Sequence, residues 1–256
     1  MPLIETTTGS LFFADHRAAE SPYPPVVLVH GAGGSHLDWP SQLRRLPKAS
    51  VIAVDLPGHG KSPGPGRNSV SAYAADIIAL LDLLKIPQAI IAGHSMGGAI
   101  AQTMALDHTG RVAGLILVGT GARLRVHPDI LQRFLAEPEA IAALFKDWMW
   151  GGNAPDSLRQ TGYEQLLKTP PEVTHGDYHA CNVFDVMERL GQITAPTLII
   201  GGTADKMTPL KYAAHLQTHI PNSQLVTVEG GGHMMALEQP ELVAQAIQDW
   251  LTSRCV

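Results

Sequence analysis

Cysteine is nearly absent: the 256 residues hold only Cys181 and Cys255. Two thiols make at most one bridge, too few to staple a fold. A disulfide framework is therefore excluded, and free thiols in a reducing compartment, the cytoplasm, are expected. No cluster of Lys and Arg occurs and the formal net charge is -5. Such a surface does not suit nucleic acid, whose binding needs grouped cations to displace counterions. No stretch reaches about eighteen consecutive apolar residues, so no membrane insertion is expected. The opening MPLIETTTGSLFFADHR lacks the basic start and apolar core of a signal peptide. Internal repeats and low-complexity tracts are missing too. What is present is ordinary for a globular enzyme, with 45% hydrophobic and 16% charged residues, and long enough for one α/β domain carrying an insertion.

Five short runs of branched aliphatics read as buried parallel strands: VVLVH from Val26, VIAVD from Val51, AIIAG from Ala89, LILVG from Leu115 and TLIIGG from Thr197. Between them apolar residues recur at helical spacing, as at Tyr73, Ile77, Leu80, Leu81 and Leu84, from Ala99 to Leu106, and after Pro240. Alternating strand and helix predict a doubly wound, mostly parallel sheet flanked by helices. SLFFADH and QLVTVEG add strands, the first as an antiparallel hairpin partner at the sheet edge. From about Gly121 to Thr194 the pattern changes to amphipathic pieces such as PDILQRFL and AIAALFKDWMW. Residues 1–120 and 195–256 are thus expected to form one core domain, and 121–194 a helical cap, or lid, above the carboxyl edge of the sheet.

At that edge the strand ends converge in space, and they carry His30, Asp55, Ser95, Asp205 and His233. Ser95 sits in GHSMG, a Gly-x-Ser-x-Gly pattern that chance alone produces in roughly one chain in ten of this length. Its context is more specific, because an apolar strand ends at Gly93 and a helix starts just beyond, the setting of a nucleophile elbow. A serine hydroxyl needs a base, and His233, in a glycine-rich loop after the final strand, is the candidate; His108, His127 and His215 fall in helical or lid text. A third group must fix the imidazole tautomer, and Asp205 follows TLIIGG directly. Asp55 precedes Ser95 and is assigned to organising its own turn, DLPGHGKS. Amides aimed at a developing oxyanion are expected from Ala32, in the turn HGAGG, and from Met96, after the serine.

Other readings fail on spacing. The third glycine of a dinucleotide fingerprint would fall on His36, and the first glycine of a phosphate-binding P-loop on Asp55. HGDYH, from His175 to His179, spaces two imidazoles as a zinc pair would, but Gly176 weakens a helix there and no third ligand is evident, so no metal is expected. Trp148 and Trp150 in DWMWGG are candidates to line a substrate pocket, or simply to pack the lid onto the body.

HGAGG, DLPGHGKS, GHSMGG, GGTADKMTP and GGGHMMALEQP, in that order, resemble the successive signature segments of the α/β-hydrolase superfamily, in its serine-nucleophile, esterase-like branch. The resemblance covers the chain from about Val26 onward, apart from the lid. It implies an eight-stranded sheet with the lid inserted after the sixth strand, a Ser95, His233, Asp205 triad, and an oxyanion hole from Ala32 and Met96. Serine rather than aspartate at residue 95 argues against epoxide opening and halide removal. The leading expectation is a cofactor-free hydrolase of small carboxylic esters, lactones included, working through an acyl-enzyme. The same triad would also serve carbon–carbon bond hydrolysis, perhydrolysis or lyase chemistry, and the same fold a ligand receptor.

Overall fold

The computed structural model describes residues 3–254; Cys255 lies outside them. Eight strands form one sheet: β1 (Leu3–Thr6), β2 (Gly9–His16), β3 (Val26–Val29), β4 (Val51–Asp55), β5 (Ala89–His94), β6 (Val112–Val118), β7 (Thr197–Gly202) and β8 (Ser223–Val228). Their spatial order is β1-β2-β4-β3-β5-β6-β7-β8. From β4 through β8 every neighbouring pair is parallel, while β2 runs antiparallel to both β1 and β4. The SLFFADH strand is therefore inside the sheet, and the edge belongs to β1. That strand has only the four residues LIET, none fully buried, and so lacks the aliphatic run that marks the central strands.

Helices α1 (Ser41–Arg44), α2 (Val70–Leu83) and α3 (Met96–Asp107) connect the first parallel strands. Between β6 and β7 the chain passes through α4 (Pro128–Arg133), α5 (Pro138–Trp148), α6 (Asp156–Leu166) and α7 (Pro171–Val183). Helices α8 (Leu210–His219), α9 (Met235–Glu238) and α10 (Pro240–Thr252) complete the chain. Alternation along each buried strand divides the core. Val27 and Val29 face α2, α3 and α8, whereas Val26 and Leu28 face α1 and α10. Helix α7 runs through Gly176 despite that residue's poor helix propensity; a side chain there would crowd the carbonyl of Arg67.

The α4–α7 stretch has a core of its own, built on Ile130, Phe134, Ile141, Phe145, Leu166 and Tyr178. Ala32 and Met207, from loops after β3 and β7, pack against it. Strand order reverses around β3, between β4 and β5. A parallel sheet opens a crevice at such a reversal, between the loops that follow the flanking strands.

Candidate active site

Ser95 follows β5 directly and caps α3 with φ 53° and ψ -114°, a backbone conformation that a residue with a side chain adopts only under support. Support comes from packing. A methyl group at Gly93 would strike the carbonyl of Gly97, and one at Gly97 the carbonyl of Val29. Both positions must therefore be glycine for strand and helix to meet at this angle. Val118 accepts the Ser95 amide at 3.0 Å, and the Thr120 hydroxyl donates to the Ser95 carbonyl at 2.8 Å.

Asp205, after β7, is buried and fully engaged. Its Oδ1 accepts the amides of Met207 (2.9 Å) and Thr208 (2.8 Å). Its Oδ2 accepts the Thr208 hydroxyl (2.7 Å) and lies 3.0 Å from His233 Nδ1. Burial alone would push this carboxyl up, but His233 and the Thr208 donors outweigh it and bring the pKa down to about 2. His233 is buried, and its carbonyl accepts the Nε2–H of His94 at 2.9 Å. Burial, and then the neighbouring His233, lower the pKa of His94 to about 3, so its ring stays neutral and holds the His233 backbone from below.

Ser95 and His233 open into one cavity of about 260 Å³, together with Ala32. Its walls are largely apolar, with Leu124, Leu158, Leu166, Met207 and Leu237 among them. The turn Gly31–Gly34 forms one side, and a side chain on Gly31 would lie 3.2 Å from Ser95 Cβ. Among the described residues, the amides of Ala32 and Met96 have no protein acceptor, although Met96 is fully buried. Buried amides are rarely left that way. Trp150 is buried and lines the cavity, Gly162 leaving room for its ring. Trp148 does not line it: its side chain is 43% exposed at the end of α5.

Asp55 organises more than its own turn. It accepts the amide of His36 (2.6 Å) and of Lys61 (2.9 Å) and faces the His36 ring at 2.9 Å. Three other carboxyls that no sequence motif singles out bear on the site. Asp38 lines the cavity beside Gly34, and burial pushes its pKa up to about 6. Glu238 accepts the amides of Gly151 (2.9 Å) and Gly232 (3.2 Å). With Met234 N–H donating to the Met149 carbonyl at 3.0 Å, Glu238 ties the α5–α6 connection to the loop of His233. Asp177, on α7, accepts the Gly33 amide at 2.8 Å; its only local signal was a carboxylate between the two histidines of HGDYH.

A model of the Alpha/beta hydrolase family matches residues 26–246. A relative from Pseudomonas syringae pv. syringae, RutD, named for carbamate hydrolysis, is 28% identical over 95% of this chain and 100% of its own length. The AB hydrolase superfamily protein YisY of Bacillus subtilis is 30% identical over 90% of this chain and 92% of its own. Among solved structures, a thermophilic esterase from Thermogutta terrifontis superposes with a TM-score of 0.87 at 29% identity, covering 99% of this chain and 98% of that one.

Proposed function

The chain belongs to the alpha/beta hydrolase family, and on that premise we propose that it cleaves carboxylic esters, lactones among them, through an acyl-enzyme on Ser95. Ser95 Oγ attacks the carbonyl carbon while His233 Nε2 takes its proton, and Asp205 keeps the proton of Nδ1 in place. The oxyanion gathers at the free amides of Ala32 and Met96. His233 returns the proton to the departing alcohol as the C–O bond breaks. It then takes a proton from water as that water attacks the acyl-enzyme, and returns it to Ser95 Oγ as the acyl–oxygen bond breaks and the acid leaves. Residues 121–194 act as a cap whose apolar inner face, with Trp150, receives the hydrocarbon part of the substrate.

The observation that carries this reading is the strained serine lining a cavity it shares with a histidine already hydrogen-bonded to a buried carboxylate. Carbamates are the second substrate class to try, because the RutD relative is named for them and their carbonyl is open to the same attack. A panel of nitrophenyl esters graded by acyl length, with a carbamate alongside, tests both. Ser95→Ala is expected to lose turnover by about 10⁴-fold or more; near-native turnover in that variant would refute the acyl-enzyme.

A further inference from the structure

Three donors from the core converge on Asp177 in α7. Gly33 N–H and His59 Nε2 meet its Oδ2 at 2.8 and 2.7 Å, and the Tyr73 hydroxyl donates to Oδ1. Asp177, His59 and Tyr73 are all fully buried. The other His59 nitrogen, Nδ1, lies 3.0 Å from the Pro57 carbonyl oxygen. A carbonyl can only accept, and a carboxylate already holding two other donors does the same, so the arrangement suits protons on both ring nitrogens, an imidazolium at His59. Gly33 is gripped on its other side too, because the hydroxyl of Thr169, ahead of α7, donates to its carbonyl at 2.9 Å. Leu166 and Thr174 close on its α-carbon. Both polar groups of the residue after Ala32 are therefore held by the 121–194 segment, while the Ala32 amide is left unengaged.

We propose that Asp177 is a positioning residue for catalysis: paired with the His59 imidazolium, it fixes the Gly31–Gly34 turn so that the Ala32 amide points at the oxygen gaining charge. The proposal rests on the acyl-enzyme reading and deepens it, making one donor of the oxyanion hole dependent on the cap. An amide that must be in place before charge develops is effective only if it does not have to be reoriented during the reaction.

The pair has a pH signature. Burial opposes the charged ring, but Asp177, the Pro57 carbonyl and Asp55 outweigh it and raise the pKa of His59. The groups facing His59 are Asp177 on α7, Tyr73 on α2, His30 after β3 at a ring separation of 4.9 Å, and Asp55 ending β4, with Asp38 near enough to feel its charge. Tyr73 is pushed up, chiefly by burial, and His30 is held down at about 4 by burial and then His59; neither changes charge near neutrality. With its folded pKa raised, His59 contributes fully below about pH 6.5 and loses that contribution as pH climbs through the raised value. As that charge is lost the hold of Asp177 on the Gly33 amide weakens, and kcat is expected to fall on the alkaline side.

The test compares wild type, Asp177→Asn, Tyr73→Phe and Ser95→Ala on nitrophenyl butyrate across pH, with ¹⁵N NMR of the histidine rings. Asp177→Asn is expected to melt cooperatively, to lose kcat by about 30-fold or more with KM within about threefold, and to lose the alkaline limb. Tyr73→Phe should lose kcat by about threefold. In wild type, His59 should show two protonated nitrogens at pH 7 and shed one over the range in which kcat falls. A folded Asp177→Asn with near-native kcat overturns the proposal. If that variant does not fold, a singly protonated His59 at pH 7, or kcat flat while His59 titrates, overturns it instead. Turnover persisting in Ser95→Ala refutes the acyl-enzyme, and the His59 resonances still judge the ion pair.

Discussion

Replacing Asp205 by asparagine separates the two tasks proposed for its carboxylate, orienting His233 and stabilising the fold. The two backbone amides on Oδ1 require an oxygen there, so the new NH₂ must take the place of Oδ2. It then points at Thr208 Oγ1, which can turn and accept, and at His233 Nδ1, which must give up its proton to accept. The ring is left with its proton on Nε2, toward Ser95, where a lone pair is needed. In triads of this kind the wrong tautomer lowers kcat by about ten-thousandfold, close to 5.5 kcal/mol of transition-state stabilisation. The folding contribution is smaller. A carboxyl lowered from 3.8 to about 2 stabilises the fold by about 2 kcal/mol at neutral pH. Because the folded pKa is the lower one, that stabilisation is present above about pH 4 and disappears as pH falls through about 2. Nitrophenyl ester kinetics at pH 7, with urea melts from pH 2 to 7, read both quantities. A kcat within tenfold of wild type would refute the tautomer argument, and a stability difference that persists undiminished at pH 2 would refute the assignment of the carboxylate's energy.

Gly97→Ala places a methyl against the Val29 carbonyl; about 3 kcal/mol of stability should be lost, visible in urea denaturation, and a change under about 0.5 kcal/mol would contradict the close approach. Trp150→Ala removes a buried ring from the cavity wall. It should lose about 3 kcal/mol and move the preference toward longer or bulkier esters, and an unchanged ratio of long-ester to short-ester kcat/KM would show that the ring does not bound the substrate.

The central strands were legible because strands buried on both faces, such as Val26–Val29 and Val51–Asp55, are unbroken aliphatic runs. The edge strand Leu3–Thr6 was not, since a strand so short, paired on one side and nowhere fully buried, carries almost no hydrophobic signal. Ser95, Asp205 and His233 stand out because each follows a strand in a glycine-rich turn. Asp177 does not, for its partners Tyr73, His59 and Gly33 lie 104, 118 and 144 residues away, and no local pattern announces a buried carboxylate satisfied at such range. Trp148 and Trp150 show the same limit at closer quarters: two residues apart on an irregular helix end, one faces solvent and the other the cavity.

The grip of α7 on Gly33 bears on how such a scaffold can diversify. A region that shapes the substrate pocket would ordinarily be free to be exchanged, leaving the reaction chemistry untouched beneath it. If Asp177 positions the Gly31–Gly34 turn as proposed, a transplanted pocket roof would also have to deliver an acid to the same spot, or arrive with a mate for His59, left without its carboxylate. New specificities are therefore more accessible by altering side chains one at a time within the existing roof than by replacing it whole.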